Sequence, residues 1–210
     1  MRDAASLAPD PSLRMPLALP GMRIGLFGGS FDPPHPGHRL VAETAMRRLE
    51  LDRLWWLVSP GNPLKRHDGL RPLAERLAAS RALMPERRID VTGFEAAHRL
   101  RYTADLIRLL ARRRPHVRFV WVMGADSLRS FHLWQDWRDI LRMVPVAVVD
   151  RPGATLAALH SPMAIAYRAA RLAEADAALL PFQKTPAWVF LHGPRSPQSS
   201  TALRASSSRN

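Results

Sequence analysis

The sequence contains no cysteine. That absence excludes disulfides, thiolate zinc sites and a cysteine nucleophile together, and a reducing cytoplasm is the expected compartment. Lysine is nearly absent too, with only Lys65 and Lys184, so the formal charge of +13, from 31 basic and 18 acidic residues, is almost wholly arginine. Such a charge favours anions (nucleotides, nucleic acid, acidic lipid) without choosing among them. The arginines are scattered beside much alanine and proline, as a genomic compositional bias would scatter them, and no nucleic-acid partner is expected. No apolar run approaches a membrane span, and the first twenty residues carry four prolines and no apolar stretch of signal-peptide length, so no membrane partner is expected. Two glycine-loop formulas are missing as well: there is no Gly-Lys pair of a phosphate-loop NTPase, and no dinucleotide-binding triple glycine follows the first apolar run.

What is present suits one domain, since 210 residues with 47% hydrophobic content fill a single α/β core and are few for two. Residues 1–21 read as a flexible arm, with Met15 and Met22 as alternative starts; 22–204 read as the domain and 205–210 as a disordered Ser- and Arg-rich tail. From Met22 the signals alternate between short apolar runs and helical periodicity. Strands are expected at Met22–Phe27, Leu54–Val58, Ile89–Phe94, Val117–Met123, Val144–Val149 and Ala187–Leu191. Helices are expected at Gly37–Leu49, Leu73–Met84, Thr103–Arg112 with Thr103 as N-cap, Asp136–Met143 and Met163–Leu172, with another start at Ser199-Ser200-Thr201. Strand–helix alternation of this kind predicts a Rossmann-like open parallel sheet with helices on both faces.

Between the first strand and the first helix stands Gly28-Gly29-Ser30-Phe31-Asp32-Pro33-Pro34-His35-Pro36-Gly37-His38. In an open parallel sheet, ligands bind beyond the carboxyl ends of the strands, and amides at a helix start favour anions. The two glycines let backbone approach a phosphate, and His35 and His38, three apart around a turn, present two switchable cations to one anion. Two histidines at this spacing are also half of a metal site, but no further histidine or acidic cluster stands at ligand spacing, so no protein-held metal is expected. His98, His116, His132 and His160 read as surface or core fillers.

This stretch resembles the His-x-Gly-His motif of the nucleotidyltransferase superfamily, in the Gly-Gly-Ser/Thr-Phe-Asp-Pro-x-His form typical of adenylyltransferases. Gly124-Ala125-Asp126-Ser127-Leu128, Trp134, Tyr102-Thr103, Arg151-Pro152-Gly153 and Ser199-Ser200-Thr201-Ala202-Leu203-Arg204 are similar, in this order, to the nicotinate mononucleotide adenylyltransferase family, and the likeness runs from Met22 to Arg204. It implies the nucleotidyltransferase fold and transfer of AMP from ATP to nicotinate mononucleotide in NAD biosynthesis.

The resemblance also implies roles. His35, His38 and Arg204 would be catalytic; Gly28, Gly29, Ser30, Phe31, Ser199, Ser200, Thr201 and Lys65 would meet ATP phosphates, and Asp126 the ribose. Tyr102, Thr103, Trp134 and Arg151 would bind nicotinate mononucleotide, the Trp134 indole stacking on the pyridine ring. Mg²⁺ is the expected cofactor, held mainly by ATP phosphates. The alternatives are core packing for Trp134, a helix N-cap for Asp126, and solvated positions for Lys65 and Arg204; Trp55 and Trp56 are expected in a strand core. The Pro-His-Lys element of the family is matched only in part around Lys65, and many members continue for another helix or two past the last motif. Rival readings are a dephospho-coenzyme A or cytidylyl-product transferase, a preference for nicotinamide mononucleotide, and a basic RNA-binding module without activity. The sequence does not give the oligomeric state.

Overall fold

The computed structural model describes residues 11–61, 69–150 and 158–192. Among the described residues six strands, all parallel, form one sheet in the order β3-β2-β1-β4-β5-β6. They are β1 (Arg23–Gly29), β2 (Arg53–Val58), β3 (Ile89–Thr92), β4 (Arg118–Gly124), β5 (Val146–Val149) and β6 (Trp188–Leu191). This doubly wound order reverses direction between β1 and β4, which opens a crevice at their carboxyl ends.

Every strand shows the alternation that burial on two faces requires. Trp56 and Val58 of β2, Val120 and Val122 of β4, and Val189 and Leu191 of β6 pack on one face, with α1 (Pro36–Arg48) and α2 (Leu73–Leu83). Trp55 and Leu57, Trp121 and Met123, and Trp188 and Phe190 pack on the other. That face is covered by α3 (Phe94–Ala97), α4 (Thr103–Arg113), α5 (Ala125–Leu128), α6 (Trp137–Met143) and α7 (Pro162–Ala166). Trp55 and Trp56 are both fully buried, one on each face, as expected for scaffold; removing such a ring costs about 3–5 kcal/mol. Among the described residues no helix is long and apolar enough to cross a membrane.

Several expectations need correction. Residues 11–21, expected as part of a flexible arm, are docked. Ser12 is buried, its carbonyl accepts from Thr92 Oγ1 (2.9 Å) and from the Gly93 amide (2.8 Å), and the Gly21 amide donates to the His116 carbonyl (2.7 Å). Thr103 is the first residue of α4 and not its cap; Tyr102 holds the cap position in extended conformation, without a side-chain cap bond. The third strand stops at Thr92, and Phe94 opens α3 instead. The helix expected over Met163–Leu172 is α7 followed by a 3₁₀ turn at Arg168–Ala170, because Arg171 bridges to Trp188 and the Leu172 amide donates to the Trp188 carbonyl (2.8 Å). Sheet pairing there overrides local helix preference. A nine-residue 3₁₀ segment, Glu174–Phe182, has no counterpart in the expectations. The helix start at Ser199 and the tail at 205–210 lie outside the described residues.

Candidate active site

Phe27 pairs with Val122 across the β1–β4 junction, so the two chains leave the sheet side by side, through Gly29 and Gly124. The 28–38 turn rises from one side of the crevice and Asp126 from the other. This is the place where a doubly wound sheet takes a ligand.

Packing explains the two glycines before any ligand does. A Cβ at Gly28 would stand 2.7 Å from Trp121 Cη2, and one at Gly29 would stand 3.1 Å from Phe31 Cζ. Phe31 turns the chain with φ 46°, a left-handed conformation that a bulky residue pays roughly 1–2 kcal/mol to adopt. Its ring is buried against Trp56 (centroids 4.4 Å) and edge-on to Phe27 (5.3 Å) and His38 (5.0 Å).

His35 caps α1 in an extended conformation, with Pro36 and Gly37 following. Its carbonyl accepts from the His38 amide (2.8 Å), and its own amide donates to His38 Nδ1 (3.3 Å). The imidazoles stack with centroids 3.7 Å apart. His35 is buried and His38 half-buried. Since a backbone amide can only donate, Nδ1 of His38 is an acceptor, and in the neutral ring the proton sits on Nε2. The pair therefore couples helix-start amides to an imidazole that donates from its far nitrogen.

A second layer lies beneath this turn. Arg76 of α2 is 1% exposed, and its guanidinium donates to the carbonyls of Ser30 (2.7 Å), Ser59 (2.8 Å) and Arg71 (2.8 Å). Burial pulls its pKa below the ordinary arginine value, with nearby Asp32 opposing that shift and Arg71 adding to it. Buried Asp32 receives the Arg71 side chain (Nε–Oδ1 2.6 Å) and the Arg71 amide (3.3 Å). None of these three residues was singled out from the sequence. The available signal was Arg76 itself, a charge lying on the apolar face set by Leu73 and Leu77. Glu95 of α3 was also missed; it is buried, and burial alone pushes its carboxyl up to about 8.

On the opposite side, Asp126 is exposed at the second position of α5, whose N-cap is Gly124, so capping does not account for it. Of the six tryptophans, Trp134 is the one that is not buried. Its ring makes edge-to-face contacts with Phe131 (5.2 Å) and Trp121 (6.0 Å). Tyr102 and Thr103 are half-buried where α4 begins. Arg108, further along α4, reaches Asp136 (2.9 Å) and Asp139 (3.0 Å) and so ties α4 to the segment after Trp134. His98, His116 and His160 are exposed and His132 is half-buried. Among the described residues no group of three or more histidine or carboxylate side chains is placed to hold a metal ion. Lys65, Arg151, Ser199, Ser200, Thr201 and Arg204 lie outside the described residues.

Residues 26–206 match the Cytidylyltransferase-like family. A protein of Mesorhizobium japonicum, named a probable nicotinate-nucleotide adenylyltransferase, is 58% identical over 190 residues, 90% of this chain and 97% of its own. One of Methylorubrum extorquens with the same name is 60% identical over 183 residues, 87% of this chain and 99% of its own. The solved Plasmodium falciparum nicotinic acid mononucleotide adenylyltransferase complexed with NaAD superposes with a TM-score of 0.64 at 16% identity, covering 88% of this chain and 83% of that one. At that identity it speaks for the fold.

Proposed function

The chain belongs to the Cytidylyltransferase-like family of nucleotidyltransferases, and we propose that it transfers the adenylyl group of ATP to nicotinate mononucleotide, giving nicotinate adenine dinucleotide and pyrophosphate. One observation carries this reading: a stacked His35–His38 pair at a helix start, placed at the switch point of a doubly wound sheet. Relatives with the matching name supply the acceptor.

The acceptor is a phosphate monoester, largely dianionic at neutral pH because its second pKa lies near 6. Its oxygen attacks the α-phosphorus of ATP in line; the new P–O bond forms as the bond from the α-phosphorus to the α–β bridging oxygen breaks, and pyrophosphate leaves with that electron pair. No protein base or covalent nucleophile is needed. The protein positions the two substrates and stabilises the charge that grows on the leaving group. His38 Nε2 and the amides at the start of α1 are the described groups set to do that. Asp126, exposed across the crevice, is the group we assign to the ribose, and the half-buried indole of Trp134 to the pyridine ring. Lys65, Arg151, Ser199, Ser200, Thr201 and Arg204 keep the roles that the resemblance gave them.

Histidines, amides and a single exposed carboxylate suit a hard cation carried by phosphate oxygens and water better than one caged by protein. We therefore infer Mg²⁺ as the cofactor; when bound it neutralises charge on the phosphate tail. The compartment we propose is the cytoplasm.

A substrate panel tests the reading. With Mg²⁺ and ATP, pyrophosphate release is expected with nicotinate mononucleotide, less with the amide, and none with phosphopantetheine. His38→Ala should cut kcat/KM by about 10²–10³ in a protein that still folds. Release with phosphopantetheine alone would overturn the acceptor assignment.

A further inference from the structure

The catalytic reading uses the surface of the 28–38 turn and leaves unexplained the buried cation beneath it. A charged side chain out of water is costly unless it is fully bonded. Arg76 offsets that cost in an unusual way: its Nε and Nη1 donate to backbone carbonyls of three separate segments, while Asp32 is bonded to Arg71.

We propose that Arg76 is a positioning residue for ATP, its guanidinium locking the Ser30 and Ser59 carbonyls so that the amides of the 28–38 turn face the triphosphate; the proposal rests on the adenylyl-transfer reading above. The planarity of the peptide bond carries the geometry. In a trans peptide the C=O and the next N–H point in opposite directions. Ser30 C=O is drawn inward to Arg76 Nη1, so the Phe31 N–H of the same peptide unit is turned outward, away from the core. Ser59 is held through two successive peptide units, its amide donating to the Gly29 carbonyl (2.9 Å) and its carbonyl accepting from Arg76. The ends of β1 and β2 are thereby held to each other.

The left-handed Phe31 sits between two such anchors, Ser30 bonded to Arg76 and Asp32 bonded to Arg71. A strained backbone persists only where its surroundings over-determine it, and here the restraints come from α2 and the residue before its cap. An arginine serves where a neutral amide would not, because its rigid planar fork reaches several carbonyls at once. Its charge also stays on at every working pH. That charge lies under an anion site without touching the anion.

The test compares Arg76→Met and Arg76→Lys with the wild type. ATP affinity is read by calorimetry without acceptor, KM is read for nicotinate mononucleotide, and thermal melts report folding. The expected result for Arg76→Met is ATP binding weakened about thirtyfold, with the acceptor KM within threefold. Arg76→Lys should lie between Arg76→Met and wild type, and millimolar guanidinium should restore part of the ATP affinity of Arg76→Ala. A folded variant that binds ATP within twofold of wild type overturns the proposal. So does a parallel loss of both substrates with no guanidinium rescue, which would make Arg76 scaffold only. If Arg76→Met does not fold, Arg76→Lys decides by the same criteria. ATP binding is read without acceptor, so a wild type that binds ATP yet leaves nicotinate mononucleotide unreacted sinks the acceptor assignment and not this one.

Discussion

The two halves of the sheet treat polar groups in opposite ways. Among the described residues, Ser12, Asp32, His35, Thr44, Arg76, Ser80, Thr92 and Glu95 are buried polar or charged residues before β4, and only Asp150 and Ser161 follow it. In the β1–β2–β3 half, the chain buries ionisable groups under its loops: Arg76 bonded to backbone carbonyls, Asp32 bonded to Arg71, and Glu95 held protonated by burial. In the β4–β5–β6 half the described interior is almost wholly apolar, with Asp150 its one buried ionisable group, and Arg108 of α4 meets Asp136 and Asp139 in exposed ion pairs. The difference matches what each side is proposed to bind. A triphosphate in transit needs donors fixed before it arrives, because reorganisation at the moment of reaction costs rate. A flat ring needs an aromatic face, which surface ion pairs and edge-packed rings hold well enough.

The largest expected effect probes the buried carboxyl of Glu95. Glu95 ionises near 4.5 when unfolded and near 8 when folded. Between those values the folded state keeps a proton that the unfolded chain has lost. The stabilising contribution is therefore complete below about 4.5 and is lost as pH rises through about 8. Glu95→Gln, neutral throughout, should gain about 2 kcal/mol over wild type between pH 6 and pH 8 in urea titrations; parallel curves would mean that the carboxyl is not held neutral.

Next in size, Trp134→Ala should raise the acceptor KM about tenfold, an indole stack being worth about 1–3 kcal/mol. ATP binding should stay within twofold, and a change in ATP affinity instead would erase the division between the two sides. The smallest effect belongs to Arg108→Ala, which loosens exposed ion pairs. Less than about 1 kcal/mol of stability is expected to go, and the acceptor KM should rise twofold to threefold because the segment after Trp134 loses its tie to α4.

The sequence exposed the first half's surface and missed its depth. The 28–38 turn was legible because its chemistry is contiguous: glycines, histidines and a helix start follow one another within eleven residues. Arg76 was not, since its meaning comes from carbonyls 46 and 17 residues away. Gly28 was read as room for a phosphate, whereas its neighbour in the fold is the Trp121 ring. Trp134 drew attention only through resemblance; burial separates it from the other five tryptophans, and burial is not a property of one residue's identity.

Local pattern alone determined the alternation of strands and helices, and with it a parallel sheet, because side-chain periods of 2 and 3.6 are written into neighbouring residues. The short pieces escaped it. α3 has too few residues to show a period, and the stretch after α7 is drawn out by pairing with Trp188. Only the tertiary structure decided the strand order, the pairing of Phe27 with Val122, and the buried guanidinium that grips Ser30 and Ser59. Those are contacts between distant segments, and their geometry exists only once the chain has closed on itself.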